Sequence, residues 1–422
     1  MKQTNGTQHL KTVSEHMEWA RKTGVALQVT EDQELHGRAI TLGGNEIVNF
    51  GSCSYLGLEQ DARVKAGIIE AVEKYGSQFS SSRSYVSIGL YDELEFLLGQ
   101  MFGAPAVVTA STTLGHFSAL PVLVGEKDVI IMDHQVHASV SMAAQVLKAK
   151  GVRVEMIRHN HLDMLENRIE KLKSSHERIW YLADGMYSMY GDFTPLAGLK
   201  ELLARHEQLR LYIDDAHGIS WTGKHGSGTV APQLAGHPQV VITGSLNKSF
   251  AAAGGVLIFP DEETKRMVRN CGGTLIFSGP VQPPMLGAAI ASANIHLSDE
   301  LPRKQESLLR KIRLFNRMAE MEGLPLVSDN ESPIRFISVG KPEVGYNMVQ
   351  RIMSSGYYLN LAAYPSVPYK NTGLRIALND HLHPVDIMNL VKVIVKELPY
   401  ALAEESYSIE DVYAAFRYAK AS

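Results

Sequence analysis

The stretch RLYIDDAHG, residues 210–218, decides the class of fold, because it joins a short apolar run to a cluster of polar side chains. The apolar part suits a buried strand, and Asp214, Asp215 and His217 follow where that strand ends. A buried carboxylate needs a partner, and open α/β sheets bind ligands beyond the carboxyl ends of their strands. The stretch therefore predicts one strand of such a sheet, with a site at its end.

Further short apolar runs predict the neighbouring strands of this sheet. They are AVVTA (106–110), DVIIMD (128–133), VRVEMI (152–157), RIWYLAD (178–184), VVITGS (240–245) and GVLIFP (255–260). Amphipathic helical patterns, such as 162–175 and 196–207, lie between several of them. Strands and helices that alternate at this spacing predict an α/β fold, with a largely parallel sheet and helices on both faces.

The rest of the chain predicts a second, smaller domain. A long helix begins near residue 300, IRFISVG (334–340) and GLRIALN (373–379) suggest strands, and the tail from 407 to 422 suggests a final helix. We predict three parts: residues 1–55 packing with the C-terminal domain, residues 56–295 as the large domain, and residues 296–422 as a small α+β domain.

The composition excludes several classes of protein. The 422 residues are 45% hydrophobic with a net charge of −4, and no basic run indicates nucleic-acid binding. Cys53 and Cys271 have neither disulfide-framework nor zinc-site spacing, so we predict a cytoplasmic protein. The N-terminus has no apolar core typical of a signal peptide, and no apolar run is long enough to predict a transmembrane helix.

Chemically useful side chains follow the ends of several predicted strands. In chain order they are Ser111, Thr112, Thr113, His137, Asp184, Ser188, Asp214, His217, Ser245 and Lys248. Because these strands are predicted to be parallel neighbours, their carboxyl ends lie on one edge of the sheet.

Together these residues suit a phosphorylated aromatic aldehyde. The hydroxyls after AVVTA form either an anion-binding helix start or simple helix caps. Asp214 can hold a protonated ring nitrogen or pair with His217. A lysine near a ring cation has a lowered pKa and can form a Schiff base with an aldehyde. Lys248 is the candidate for this lysine, and pyridoxal 5′-phosphate is the aldehyde that would match the whole set of residues. The two HxH pairs, at 159–161 and 381–383, are predicted to be loop residues, and we predict no metal site.

Longer motifs occur in order from about residue 45 to 395. They are SYLGL (54–58), YGSQFSSSRSY (75–85), LYDELE (90–95), DHQVHASV (133–140), RHNHLDMLE (158–166), DGMYSMYGDFTPL (184–196), IDDAHGISWTGKHGSG (213–228), TGSLNKSFAAAGG (243–255), TLIFSGPVQPP (274–284) and LRIALNDHLHPVDI (374–387). This set resembles the α-oxoamine synthases, a branch of the fold-type I pyridoxal-phosphate transferases. The resemblance implies a mostly parallel seven-stranded sheet in the large domain.

The resemblance also implies roles for matched positions. Lys248 would bind the cofactor covalently, Asp214 would keep its pyridine nitrogen protonated, and His137 would stack on its ring. His217 and Ser188 would hydrogen-bond its O3′ atom, and Asp184 is also expected among the cofactor-binding residues. The implied phosphate ligands are Ser111, Thr112, Thr113, Ser245 and, from the partner subunit of a homodimer, Ser278. The implied substrate-binding residues are Arg375, for the carboxylate, with Ser82, Arg83 and Cys53.

The implied reaction is the decarboxylative condensation of a small L-amino acid with an acyl thioester, giving an α-amino ketone, CO₂ and a free thiol. GYYLNLAAYPSVP (356–368) is similar to the bacterial serine palmitoyltransferases, so long-chain serine condensation ranks first. The alternatives are an 8-amino-7-oxononanoate synthase-like or glycine C-acetyltransferase-like activity, and a pyridoxal-phosphate-dependent aminotransferase. The acyl donor is left open between coenzyme A and a carrier protein.

Some positions depart from the family pattern. The family often has Asn where Cys53 stands, and its glycine-rich block is serine-rich here. Its usual Gly-aromatic-x-Ala-Asn helix start is replaced by STTLGH (111–116). Because these groups face the substrate or the phosphate, the departures leave the amino acid and the acyl donor open.

Overall fold

The structure is a computed structural model that describes residues 5–417. Its strands are β1 (Ala39–Leu42), β2 (Asn45–Asn49), β3 (Ala106–Thr109), β4 (Val129–Asp133), β5 (Arg153–Ile157), β6 (Ile179–Asp184), β7 (Leu209–Asp214), β8 (Val240–Ser245), β9 (Gly255–Ile258), β10 (Ile334–Gly340), β11 (Tyr357–Tyr358), β12 (Asn360–Ala362) and β13 (Thr372–Ala377). Its α-helices are α1 (Asn5–Lys22), α2 (Ala62–Tyr75), α3 (Leu90–Phe102), α4 (Thr112–Leu123), α5 (Ala138–Ala149), α6 (Leu162–Leu172), α7 (Leu196–Arg205), α8 (Ala231–Leu234), α9 (Glu262–Cys271), α10 (Gly273–Phe277), α11 (Pro283–His296), α12 (Leu301–Met321), α13 (Pro342–Ser354), α14 (Pro384–Glu404) and α15 (Ile409–Phe416).

The chain divides into two compact units. The larger unit comprises residues 56–188 and 193–305, and the smaller comprises residues 1–55, 189–192 and 306–422. The N-terminal segment thus belongs to the same unit as the C-terminal part of the chain. The predicted tail helix corresponds to α15, and residues 418–422 lie outside the described part of the chain.

The larger unit contains a seven-stranded sheet in the order β3-β9-β8-β7-β6-β4-β5. Its strands are the seven that the apolar runs predict. β9 runs antiparallel to both of its neighbours, and the remaining pairs are parallel. The predicted α/β class, with a mostly parallel seven-stranded sheet, is confirmed.

Both faces of this sheet are buried, which explains why its strands are almost continuously apolar. On β4 and β6, Ile131 and Tyr181 face one core, while Met132 and Leu182 face the other. Successive side chains of a strand point to opposite faces, so a strand between two helical layers needs apolar residues at every position. The polar residues are displaced to the strand ends, where the site lies.

The smaller unit is built around two three-stranded sheets, β1-β2-β11 and β10-β13-β12. Within it, β10 and β13 pair antiparallel and place Phe336 opposite Arg375. Long helices accompany these sheets, among them α14, which begins with a capping box formed by His383 and Asp386. Along residues 5–417, no helix combines the length and the apolar character that crossing a membrane requires.

Candidate active site

A cavity of about 190 Å³ lies in the larger unit where several strands of the sheet end. Its lining combines hydroxyl, imidazole, carboxylate and amine groups. The lining residues are Ser111, Thr112, Thr113, His137, Ser139, Asp184, Met186, Asp214, Ala216, His217, Ser245, Asn247 and Lys248. Nine of the residues that the sequence predicts for the site therefore share one cavity, although they are spread over 138 positions (248 − 111 + 1).

The N-terminus of α4 forms one end of the cavity. The Ser111 hydroxyl caps this helix by accepting the backbone N–H of Leu114 at 3.1 Å, and the Thr112 hydroxyl donates to the Gly244 carbonyl at 3.0 Å. A Cβ atom on Gly255 would lie 2.5 Å from the Thr112 nitrogen, so this close approach of two backbones requires glycine. The sequence analysis left an anion site and a helix cap open as alternatives. The capping bond is present, and the other N–H groups of the first turn have no partner within the helix.

Asp214 ends β7 and is buried against the cavity. Its Oδ1 accepts the backbone N–H of Ala216 at 3.1 Å, and its Oδ2 lies 3.1 Å from His116 Nε2. Burial alone would raise the pKa of Asp214, but His116, together with Lys248 and His137, outweighs burial and lowers that pKa to about 2. The carboxylate is therefore ionised at neutral pH and suits a positively charged partner.

His116 is a site residue that the sequence analysis missed. It is fully buried on α4, and its Nδ1 lies 2.9 Å from the Tyr212 hydroxyl. Burial raises the pKa of Tyr212 well above its usual value, so the phenol keeps its proton. The phenol therefore donates to Nδ1, and Nε2–H donates to Asp214, which orients the carboxylate. The only sequence signal was that STTLGH departs from the family's usual helix start.

His137 is held in one tautomer by its own helix. It is the N-cap of α5, where its Nδ1 accepts the Ser139 N–H at 3.3 Å and lies 2.6 Å from the Ser139 hydroxyl. Burial lowers the pKa of His137, so the ring is neutral and carries its proton on Nε2. The His137 backbone N–H donates to Asp184 Oδ1 at 3.0 Å, and burial beside Asp214 raises the pKa of Asp184 well above its usual value.

Lys248 lies in the tight connection between β8 and β9. The Leu246 N–H donates to the Gly254 carbonyl at 3.0 Å, and the Ala251 N–H donates to the Lys248 carbonyl at 2.9 Å. Asn247, another lining residue that the sequence analysis did not select, accepts the Gly254 N–H at 2.6 Å. The connection is therefore closed on itself, which fixes where the lysine leaves the backbone.

Asp215 organises the segment that carries His217. Its carboxylate accepts the backbone N–H groups of Thr229 at 2.7 Å and of Val230 at 3.1 Å, and the Thr229 hydroxyl at 2.6 Å. Burial raises the pKa of Asp215 to about 7. This clamp holds the loop after β7 in place, and of the two neighbouring carboxylates only Asp214 lines the described cavity.

Several predicted residues of the larger unit do not line the described part of the cavity. These are Ser188, just past the end of β6, Ser278, at the C-cap of α10, and Ser82 and Arg83. The Ser82 hydroxyl donates to the Ile276 carbonyl at 2.8 Å. The Arg83 guanidinium is 6% exposed, lies 2.9 Å from Glu95 and stacks 3.7 Å above the Tyr91 ring. The structure thus gives Arg83 buried protein partners of its own.

The remaining predicted substrate residues, Arg375 and Cys53, belong to the smaller unit. Arg375 lies on β13 and is buried, and its Nη2 donates to Cys53 Sγ at 3.7 Å. The thiol is thus a direct neighbour of the guanidinium. Within residues 5–417, no group of three or more His, Cys, Asp or Glu side chains is placed to hold a metal ion.

The cavity fits pyridoxal 5′-phosphate by the chemistry of its donors. The α4 N-terminus and the hydroxyls of Thr113 and Ser245 suit a phosphate. An ionised, buried Asp214 suits a protonated pyridine nitrogen, and Lys248 supplies the amine that an aldehyde needs. All three requirements are met in one cavity.

Comparison with known proteins agrees with this chemistry. The sequence profile of the family "Aminotransferase class I and II" matches residues 45–394. The 8-amino-7-oxononanoate synthase of Methylocella silvestris is 31% identical over 341 residues, which cover 80% of this chain and 93% of that protein. The serine palmitoyltransferase of Sphingobacterium spiritivorum is 26% identical over 341 residues, covering 80% and 83%.

A solved structure shows the same fold. Sphingomonas wittichii serine palmitoyltransferase superposes with a TM-score of 0.85 at 20% identity, covering 94% of this chain and 99% of that one. The predicted fold type, the pyridoxal 5′-phosphate dependence and the resemblance to acyl-transferring enzymes are thereby confirmed. The chain belongs to the aminotransferase class I and II family and, within it, to the pyridoxal-phosphate-dependent α-oxoamine synthases.

Proposed function

We propose that this enzyme condenses L-serine with a long-chain acyl thioester. The α-carbon of the amino acid bonds to the thioester carbonyl, the carbon–sulfur bond breaks, and the carboxylate leaves as CO₂. One proton from solvent balances the reaction, which yields a long-chain α-amino ketone and a free thiol. The observation that carries the proposal is the single cavity in which Lys248, Asp214 and the α4 N-terminus meet.

The chain's own residues perform distinct tasks in this reaction. When bound, pyridoxal 5′-phosphate supplies the electron-accepting ring that makes the bonds to the α-carbon labile. Asp214, oriented by His116, holds the proton on the ring nitrogen. The α4 N-terminus, with Thr113 and Ser245, holds the phosphate. Lys248 Nζ would bind the cofactor's aldehyde group, and the same amine is the base that would remove the α-proton of the amino acid and return one.

His137 acts as a donor in this scheme. Its Nδ1 is occupied by Ser139, and its Nε2 carries the proton. A neutral ring in this tautomer can stack on the cofactor and donate one hydrogen bond, but it cannot accept the α-proton at Nδ1. His217 and Ser188 are proposed to bond the cofactor's O3′ atom, and Asp184 to fix His137 through its backbone.

Substrate recognition is assigned to the pair Arg375 and Cys53. A buried guanidinium suits a carboxylate, and the neighbouring thiol replaces the amide that the family often has there. L-Alanine with a shorter acyl thioester is the second candidate, because the similar relatives include 8-amino-7-oxononanoate synthases. The two candidates differ in the amino acid and in the length of the acyl chain.

We also propose that the enzyme is a homodimer in which Ser278 reaches the partner's phosphate site. The support is an exposed apolar surface beside Ser278, where Phe277 is 88% exposed and Tyr85 is 86% exposed. The two segments that carry these side chains are joined by the bond from Ser82 to Ile276. Large aromatic side chains this exposed are typical of an interface.

The test is a substrate screen by absorbance. Purified protein loaded with pyridoxal 5′-phosphate is titrated with L-serine, L-alanine and glycine, and each mixture then receives palmitoyl-, pimeloyl- or acetyl-coenzyme A. We expect the visible band to shift with L-serine and a thiol to appear with palmitoyl-coenzyme A. Thiol release with L-alanine and pimeloyl-coenzyme A would replace the first candidate by the second. Restoration of the starting band by a keto acid, without thiol release, would indicate an aminotransferase.

A further inference from the structure

A network of hydrogen-bonded polar side chains is buried in the core of the larger unit. One of its members, Ser249, directly follows Lys248 in the sequence. Its members are Ser249, which is 2% exposed, and Ser220, Ser292 and His296, which are all 0% exposed. None of the four lines the described cavity, and the proposed reaction uses none of them. Burying polar groups costs free energy unless each finds a partner, so a network of this size needs a structural reason.

The four side chains form one continuous chain of contacts. The Ser249 and Ser220 hydroxyl oxygens lie 3.1 Å apart, and Ser220 Oγ lies 2.7 Å from His296 Nε2. His296 Nδ1 lies 2.7 Å from the Ser292 carbonyl oxygen, one turn earlier on α11. The network thus connects the residue after Lys248 to a helix of the core.

One end of this network is fixed by a backbone carbonyl. The Ser292 carbonyl can only accept, so His296 carries a proton on Nδ1. Burial lowers the pKa of His296 to about 4, so the ring is neutral and its Nε2 is an acceptor. Ser220 is the donor in its contact with Ser249, and His296 Nε2 is a second acceptor for the same hydroxyl proton. Ser220 is therefore the hydroxyl that connects Ser249 to His296.

A second set of contacts holds Phe250, the residue that follows Ser249. The Ser292 hydroxyl donates to the Phe250 carbonyl at 2.6 Å, and the Phe250 ring stacks on the His296 ring with centroids 4.8 Å apart and planes inclined by 22°. Ala251 then has a φ of 61°, a left-handed conformation that neighbouring contacts must hold in place. Ser292 and His296 therefore hold Ser249 and Phe250, the two residues that follow Lys248, in place.

We propose that His296 and Ser220 are positioning residues for Lys248, acting through Ser249 and Phe250 to fix the backbone from which the amine reaches the cofactor. The proposal rests on Lys248 being the cofactor-binding lysine. A displacement of about 1 Å at a reacting group lowers rates by about 100-fold, so a rigid clamp beside this lysine has a catalytic purpose. Neither residue touches the reacting atoms.

The test compares Ser220→Ala and His296→Leu with a matched control, Ser118→Ala. Ser118 is also a fully buried serine of the larger unit, and its hydroxyl contacts Thr274. Hydrogen–deuterium exchange of the peptide spanning residues 245–252 is measured in the full chain, with and without bound pyridoxal 5′-phosphate. We expect exchange about tenfold faster in both network variants, because each loses a buried hydrogen bond, and unchanged exchange in the control.

Steady-state kinetics supply the second readout. We expect kcat to fall about fivefold to tenfold in the network variants while KM for the thioester stays within about twofold, since the lysine and not the substrate site is displaced. His296→Gln should restore most of kcat, because its side-chain amide can still hydrogen-bond to Ser220. The double variant Ser220→Ala, His296→Leu should resemble the worse single variant, since both break one network.

Three results would overturn the proposal. The first is exchange of the 245–252 peptide that matches the Ser118→Ala control in both network variants. The second is an unchanged kcat in a variant whose exchange is faster. The third is His296→Gln behaving like His296→Leu. Because exchange needs no substrate, a failure of the proposed substrate pair leaves this test intact. If His296→Leu does not fold, Ser220→Ala, which keeps the backbone and the Cβ atom, decides alone.

Discussion

His116 Nε2 lies 3.1 Å from Asp214 Oδ2, so a buried imidazole on α4 backs the carboxylate that faces the cofactor cavity. The opposite nitrogen of the ring lies 2.9 Å from the Tyr212 hydroxyl, and Tyr212 is itself a residue of β7. The three side chains form one buried line from phenol to carboxylate. This line lowers the pKa of Asp214 and fixes the direction of its lone pairs.

We expect His116→Ala to weaken cofactor binding and to destabilise the fold. It leaves Asp214 Oδ2 and the Tyr212 hydroxyl buried without partners, which costs about 1–3 kcal/mol each in free energy of unfolding. The apparent Kd for pyridoxal 5′-phosphate should rise at least about tenfold, because Asp214 then loses part of its preference for the ionised form. Fluorescence titration and urea unfolding measure the two effects.

Two further variants test separately the contact of His116 with Asp214 and its contact with Tyr212. His116→Gln can still donate to Asp214 and should bind the cofactor better than His116→Ala. Tyr212→Phe removes only the far hydroxyl, and its effect on cofactor binding should be the smaller. Equal cofactor affinity in wild type and His116→Ala would show that Asp214 needs no support from α4.

The sequence predicts what is local in this structure and misses what depends on distant pairing. The strands and the residues at their ends follow from apolar runs and the direction of a parallel sheet, so Lys248, Asp214 and His137 were predicted. His116 was not, because it meets Asp214 across 98 positions and lies in a helix with no polar pattern. The same holds for His296, whose partner Ser220 is 76 positions away.

Arg83 shows a different limit. Its motif predicts a substrate-binding arginine, but a motif does not reveal that Glu95 and Tyr91 occupy the guanidinium. Which partner a charged side chain takes depends on burial, and burial is set by the packed fold.

Lys248→Ala should remove the visible absorbance that lysine-bound pyridoxal 5′-phosphate gives and lower turnover by about 100-fold to 10,000-fold, the usual worth of a positioned proton-transfer group. The fold should survive, because Lys248 lines the cavity and is not part of the core. Absorbance spectra and thiol release measure both effects. Lys265→Ala, a change on α9 outside the cavity lining, is the control and should behave as wild type.

Phe277→Glu tests the proposed dimer. A carboxylate at the centre of an apolar interface is left unpaired, so we expect monomers in sedimentation velocity and loss of most activity, because Ser278 then no longer reaches a partner's site. Met321→Glu, at another side chain that is 77% exposed, should leave the assembly unchanged. A fully active monomer would refute the shared site.

Arg83→Ala separates a structural arginine from a substrate-binding one. The pair is nearly buried, with Arg83 6% and Glu95 12% exposed, so removing the guanidinium leaves an uncompensated carboxylate and costs about 3–5 kcal/mol in free energy of unfolding. The double variant Arg83→Met, Glu95→Gln should recover part of that loss. If instead KM for either substrate rises while stability is unchanged, Arg83 contacts the substrate as the motif predicts.

His296 should make the enzyme less stable as the pH falls from 6.5 to 4. Burial lowers its pKa from 6.5 to about 4 in the folded chain, while the unfolded chain keeps the ordinary value. Below pH 6.5 the unfolded state therefore binds the extra proton. The contribution of neutral His296 to the free energy of unfolding is complete above pH 6.5 and is lost as the pH falls towards the pKa of His296 in the folded chain. The shift corresponds to about 3 kcal/mol in free energy of unfolding.

The measurement is urea unfolding of wild type and His296→Gln between pH 4 and pH 8. Carboxylates titrate in both proteins, so the difference between the two curves isolates the histidine. We expect wild type to be the more stable at pH 7, because it keeps both network bonds, and the difference to shrink by about 3 kcal/mol towards pH 4. A difference that does not vary with pH would mean that the pKa of His296 is the same in the folded and the unfolded chain, and burial would then not keep the ring neutral below pH 6.5.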